Sequence, residues 1–424
     1  MQVSKRGHSP VSGITALTSA MTCRLPKSHC LLCVFAALAT ANLCTADPPT
    51  PLTEYSSQHY TIRTDLPPSE ARVYARHMDM VFTAYDRRFS SFRERYRGQM
   101  PLYLFRSAEQ YMAFLDSHGI SAENSDGIFF FAPTARGLAV FIDGRTRSQV
   151  FASLQHEGFH QFADSYIGQQ LPVWVNEGLA EYFERAIVVQ GRMMLGIPET
   201  YHLAMVQQAI EQGRSIPFDE IVAMTAPQWA DVRSADTDRA GLLYAQAWSM
   251  VHFLIRGDDS KYAPLLERYL RLLSDGQSSQ CAFATVFGSD LGSFERRWRD
   301  YISQLEPNPM NMATERMMVL AMGLQYLQQQ AQPTPRNIHR LRRALVDVGF
   351  GAIWRAGEQE RQYRATDDSL YGFPIGGAIR LFDLLEPTRS DLLPRITARG
   401  IKPQPTLIWS RDGEGELVAD IEYR

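Results

Sequence analysis

The chain has 424 residues, with 43 basic and 46 acidic side chains for a formal net charge of −3, and is 45% hydrophobic and 21% charged. That is ordinary globular composition, and it excludes a mostly disordered, collagen-like or polytopic membrane protein. The slightly acidic balance gives no electrostatic reason to expect nucleic acid as a partner, and the length accommodates two or three domains of usual size.

Residues 1–46 stand apart. They hold Lys5, Arg6, Arg24 and Lys27 and no acidic residue, then an apolar run over 30–44, then Asp47-Pro48-Pro49. A positive flank, a short apolar stretch and small residues before a polar turn predict a secretory signal peptide cleaved near Ala46. The run is short for a bilayer span, which needs ~20 apolar residues. An uncleaved anchor is the alternative, and Met21 would give a start of more usual signal length. Leu43 before Cys44 argues against lipidation. The expected product is exported, periplasmic or secreted, with no stable membrane span and with Cys281 as its lone cysteine, so without an internal disulfide.

After a Pro-rich tether (47–52), residues 58–64 read as a strand and 68–96 as a long helix. Arg87, Arg88, Arg93, Arg95 and Arg97 interleave there with Phe89, Phe92 and Tyr96; a solvated helix face fits an acidic chain better than a nucleic-acid patch does. A strand at 100–105 and a helix at 107–117 follow. Segments 127–132 and 137–143 flank a Pro-Thr-Ala-Arg turn, which predicts a β-hairpin. From 148 the pattern is helical: 148–167 stopping at Gly168, 171–189 with Pro172 in its first turn, then 198–212, 238–256, 262–274 and 291–304. A boundary is expected at 306–309. Beyond it lie a helix rich in methionine, read as core filler, a Gln/Pro spacer at 328–335, a basic helix, and a hairpin of 406–410 with 416–423 around Asp412-Gly413. The fold class expected is α+β, with one domain over 47–305 (a small mixed sheet at 58–145, a helical part at 146–305) and a smaller C-terminal α/β region at 310–424.

Residues 156–160 read His-Glu-Gly-Phe-His. On a helix, positions i and i+4 lie on one face a turn apart, so His156 and His160 can aim ring nitrogens at a single point, as a zinc site requires. Glu157 can then reach a water at the ion rather than the ion itself. A chance match and a pair of buried structural histidines are the competing readings. The loop 168–171 is short, so the next helix must pack back antiparallel, which returns Glu177, within Trp174-Val-Asn-Glu-Gly-Leu-Ala-Glu-Tyr-Phe183, towards the histidines.

Here the sequence resembles the gluzincin zinc metallopeptidases, the group that includes thermolysin and related aminopeptidases, whose pattern is H-E-x-x-H followed by N-E-x-x-[small]-[acid]. The resemblance spans roughly 58–301 and is sharp over 154–184. It implies that His156, His160 and Glu177 hold zinc and that Glu157 is the general base. Glu181, with Asn176, would support the ligands, Glu181 holding a ligand histidine. The interval to Glu177 is slightly shorter than in thermolysin, and Glu181 stands where thermolysin has Asp. Asp164, one turn past His160, is an alternative third ligand. A metzincin is disfavoured because Ala163 and Tyr166 occupy its glycine and histidine positions.

The resemblance further implies that the edge strand Ile128, Phe129, Phe130 and Phe131 pairs with an extended peptide, against an ordinary core hairpin as the alternative. Tyr244 resembles the transition-state donor that related aminopeptidases carry on a later helix; plain packing is its alternative, and His252 is the second candidate. Gly158 costs ~1 kcal/mol relative to Ala inside a helix, for which close approach of another backbone would account. The expected function is an exported zinc peptidase acting on peptide or protein. The alternatives are a catalytically silent binding or scaffold protein of the same fold on the cell envelope, and a structural protein with a chance motif. No G-x-S-x-G supports a serine esterase.

Overall fold

The computed structural model describes residues 51–424 apart from 93–97, 122–124, 134, 169–170, 357–358 and 412–414. The expected signal peptide, the start of the tether, Arg93, Arg95, Tyr96 and Arg97, Thr134 of the hairpin turn, the middle of the 168–171 loop and Asp412-Gly413 therefore lie outside the described residues.

The first part of the chain runs β1 (Thr53–Ser56), β2 (Tyr60–Thr64), α1 (Pro68–Arg88), β3 (Met100–Phe105), α2 (Ala108–Ser117), β4 (Gly127–Phe131) and β5 (Arg136–Phe141). The five strands form one mixed sheet in the order β1-β2-β3-β5-β4, parallel at β2–β3 and β3–β5 and antiparallel at both edges. Strand β3, Met-Pro-Leu-Tyr-Leu-Phe, is almost wholly buried, as a central parallel strand covered on both faces must be. Strand β1 falls next to the expected tether, where no strand was expected. Tyr74, Met78, Val81, Phe82 and Tyr85 recur at helical spacing on α1 and are buried in the main core. The helix ends at Arg88, and a 3₁₀ turn at Ser90–Phe92 follows, so the arginine-rich end expected as helix is interrupted there. The other face of the sheet is filled by Tyr103, Phe105, Tyr111, Leu115 and Phe130.

The helical part follows with α3 (Arg147–Phe162), α4 (Val173–Glu184), a small ribbon of β6 (Ile187–Val189) and β7 (Arg192–Met194), and α5 (Thr200–Glu211), α6 (Phe218–Ala223), α7 (Ala226–Ala235), α8 (Thr237–Ser260), α9 (Ala263–Ser274), α10 (Ser279–Phe287) and α11 (Leu291–Gln304). Thr146 and Gln149 make a reciprocal capping box that starts α3. The expected helix 148–167 is α3 plus a π-helical turn, Ala163–Ile167, closed by Gly168 at φ 125°. The expected helix 171–189 stops at Glu184, because Ile187-Val188-Val189 pair with Arg192–Met194 across a turn with positive φ at Gln190 and Gly191. Trp174, Trp248 and Trp298 are fully buried in the core that unites the sheet with these helices.

The C-terminal part holds α12 (Pro309–Gln329) and α13 (Ile338–Asp347). Two ribbons follow, β8 (Gly351–Ala356) with β9 (Gln359–Arg364) and β10 (Gly372–Ile375) with β11 (Ala378–Leu381). A four-stranded antiparallel sheet of β12 (Asp383–Leu385), β13 (Arg395–Thr397), β14 (Pro405–Arg411) and β15 (Leu417–Tyr423) completes it. It packs a second hydrophobic cluster, in which Met310 and Met317 are buried and to which Ile197 and Ile187 of the helical part contribute. Hydrogen bonds that tie it to the rest include Ser148 Oγ donating to Asp420 at 2.5 Å and Asn311 Nδ2 donating to the Pro198 carbonyl at 2.8 Å.

Candidate metal centre

Helices α3 and α4 pack against each other, and their facing sides carry the residues of interest. His156 Nε2 lies 3.6 Å and His160 Nε2 3.7 Å from the same oxygen, Oε2 of Glu177. Two donors on a tetrahedral zinc, each about 2.0–2.1 Å from it, lie about 3.3–3.5 Å apart. The three side chains therefore converge to within a few tenths of an ångström of that spacing, and two imidazoles with one carboxylate are a donor set that suits zinc. His156, Glu157 and His160 also present donor atoms within 4.8 Å of one another. Glu157 is turned elsewhere, however: its Oε2 accepts the backbone N–H of Phe129 at 2.8 Å. It thus faces the edge strand while Glu177 faces the rings.

The charges are consistent with a cation site. Burial raises the Glu177 carboxyl, but His160 and His156 beside it outweigh this and hold it below the usual carboxylate range. Burial opposes charge on His156, yet hydrogen bonding to Glu177 and Glu184 carries the imidazole well above its ordinary value.

The partner that orients His156 is Glu184, whose Oε2 accepts from Nδ1 at 2.9 Å. Glu181, expected in that role, is 3.9 Å away. It is occupied instead by Arg185 at 3.3 Å and faces His202 Nδ1 at 3.6 Å. Arg185 also reaches Glu184 at 3.3 Å, so it clamps both carboxylates from behind. Burial lowers the Arg185 pKa, and the two glutamates reverse that and push it up. Burial likewise opposes charge on Glu184, and Arg185 and His156 hold its pKa below the usual range. Sequence reading missed Glu184, although the spacing Glu177, Glu181, Glu184 places all three on one stripe of α4. Asn176 lines the adjoining cleft, and its Oδ1 has no hydrogen-bond partner among the described residues.

Strand β4 sits at the sheet edge beside α3. A Cβ at Gly127 would lie 3.6 Å from Glu157 Cγ, so the face of β4 that carries residues 127, 129 and 131 is the one turned to the motif. Phe130 points the other way, into the core, and Ile128 packs on that same cluster. The segment is thus an edge strand and a core hairpin at once.

Asp164 is paired with Arg136, which leaves it engaged away from the histidines although it borders the same cleft. Tyr244 packs edge-on against Trp229, ring centroids 5.3 Å apart. Burial, reinforced by the charge of Glu177, pushes its phenol up to about 12, so it stays a protonated donor. His252 is a core residue: Nε2 donates to the Gly196 carbonyl at 3.3 Å and Nδ1 accepts from Tyr301 at 2.9 Å. Gly158 is approached by side chains rather than by backbone; its absent Cβ would meet Met78 Cε at 3.0 Å and the Tyr85 hydroxyl at 3.4 Å.

Residues 137–304 match the family model of the Peptidase MA superfamily. The match runs from β5 to the end of α11 and supports a peptidase-like core in the segment that carries this site. No curated protein matches the sequence. Among the described residues no helix is long and apolar enough to cross a membrane.

Proposed function

We propose that the chain is an exported zinc-dependent peptidase of gluzincin type. The observation that carries this reading is the convergence of His156 and His160 on one oxygen of Glu177, with Glu157 left over and held against an edge strand. The peptidase-like family match over the same residues supports it. His156, His160 and Glu177 would hold the ion, which when bound polarises a carbonyl and acidifies a water.

The rest of the reaction falls to this chain's own groups. The outer backbone edge of β4, where the Phe129 N–H is held by Glu157, would align an extended peptide as an added strand. Glu157 takes the proton of the attacking water and returns it to the leaving amine. Tyr244, protonated at working pH, is the candidate donor to the developing oxyanion. Glu184 fixes the His156 ring and its tautomer. All groups needed for turnover are present, which favours an enzyme over a silent scaffold of the same fold.

Glu157→Gln tests the reading. It should keep its metal while peptide hydrolysis falls to near background; a variant that retains activity would remove Glu157 from the mechanism. Export with cleavage near Ala46 belongs to the same proposal, and sequencing the N-terminus of the protein recovered outside the cytoplasm checks it.

A further inference from the structure

The cleft beside the candidate metal centre has a volume of about 520 Å³, enough for a large side chain. His160 and Glu177 line it, together with Phe129 and Phe131 of β4, Asn176 of α4 and Leu171 at the end of the α3–α4 connection. The two phenylalanines share a strand face because side chains alternate along β4. Their rings meet edge-on at 4.7 Å, and Phe131 remains 53% exposed. An aromatic ring left that open forgoes part of the ~1.5–3 kcal/mol that full burial gives.

The charged groups of the cleft are already spent. Asp164 is neutralised by Arg136. The Arg136 guanidinium lies 4.9 Å from the Phe131 ring centroid and 5.8 Å from that of Phe129, which holds the aromatic wall in place by cation–π attraction. His160 and Glu177 are committed to the ion. What is left for a ligand is two aromatic rings, the aliphatic side chain of Leu171 and the amide of Asn176, whose Oδ1 has no hydrogen-bond partner among the described residues.

We infer that this cleft is the specificity subsite of the enzyme, and that it selects a large apolar, above all aromatic, side chain next to the scissile bond of an extended peptide. The inference rests on the peptidase reading above but has its own test. Peptides identical except for one residue, Phe, Ala or Asp, are compared as substrates of the wild type, and as ligands of Glu157→Gln by calorimetry. The wild type should favour Phe over Ala by about 10- to 100-fold in kcat/KM, and Asp should be the poorest. Phe131→Ala, a substitution at an exposed position, should shrink the Phe/Ala ratio about tenfold while zinc content and Tm stay near wild type. Ile379→Ala, which trims an exposed side chain on β11, should leave the ratio unchanged.

Cleavage without side-chain preference, or a preference that survives Phe131→Ala, would overturn the subsite and leave the peptidase standing. Selective binding of the Phe peptide by Glu157→Gln, lost in the Phe131→Ala double variant, would uphold the subsite even if the wild type cleaved nothing, and would then sink the peptidase instead.

Discussion

His156 must satisfy two nitrogens with two different partners, one towards the ion and one behind it. Glu181 sits a single turn beyond Glu177, and its carboxylate is drawn to Arg185 and His202. Glu184, almost a second turn along, reaches Nδ1 at 2.9 Å. The two glutamates should therefore fail differently. Glu184→Ala should weaken zinc binding about 10- to 100-fold, measured by chelator competition, with Glu184→Gln in between. Glu181→Ala should leave affinity within a few-fold but lower Tm, because it strips a partner from the buried Arg185. A larger loss of affinity in Glu181→Ala would return the orienting role to Glu181.

His77 gives the acid limb of stability. It lies buried on α1, stacked on Phe151 at 3.6 Å, where the nearby Gln155 side chain favours its charged form less than burial opposes it. Burial lowers its pKa from 6.5 to about 3. The unfolded chain therefore binds the extra proton first, and stability present above pH 6.5 drains away as pH falls towards 3. Between pH 6.5 and 4.5, His77→Phe should lose roughly 2–3 kcal/mol less than the wild type in urea titrations. Equal acid sensitivity of the two proteins would absolve His77.

At the scale of elements, the site depends on how closely α4 lies on α8. A Cβ at Gly178 would stand 2.5 Å from the Ala247 carbonyl oxygen and 2.8 Å from Val251 Cγ2. The Ala247 contact is with backbone, which a rotamer change cannot relieve. Gly178→Ala should cost about 1–3 kcal/mol and shift Glu177, its neighbour, so that zinc affinity falls with Tm. Gly158→Ala meets only the flexible tip of Met78 and the Tyr85 hydroxyl, and helix propensity favours it; it should stay within about 1 kcal/mol of wild type. If the two substitutions cost the same, the close helix crossing is not what holds Glu177 in place.

Helices were legible where an apolar stripe and a cap coincide: α11 occupies 291–304 as its pattern and the cap at Asp290 require. Short elements escaped. The Thr225–Gln228 capping box of α7 and the Ser278 cap of α10 were readable signals, but neither helix is long enough for its periodicity to show. The β6–β7 ribbon was absorbed into a helix because Ile-Val-Val continues an apolar run; only the positive φ at Gln190-Gly191 reverses the chain.

Across the whole molecule, the motif and the antiparallel helix pair could be read from spacing alone, because i,i+4 periodicity and a short loop fix geometry locally. Residues brought together from distant segments could not. The grip of Phe129 N–H on Glu157, the Arg136–Asp164 pair and the close crossing at Gly178 all depend on the sheet order and on α8. The C-terminal region, expected as helices and strands together, holds two helices, antiparallel ribbons and a four-stranded sheet. Of its strands only the final hairpin was anticipated, since β8 to β13 are short and their apolar residues weakly alternating.

The account turns on whether His156, His160 and Glu177 share one ion, and X-ray absorption at the zinc edge of the purified protein tests that most directly. It predicts one zinc per chain with two imidazole nitrogens and carboxylate oxygen at about 2.0–2.1 Å, an unchanged spectrum in Glu157→Gln, and loss of the metal in His156→Ala. A protein that binds no zinc, or one whose zinc and imidazole signal persist in His156→Ala, would contradict it.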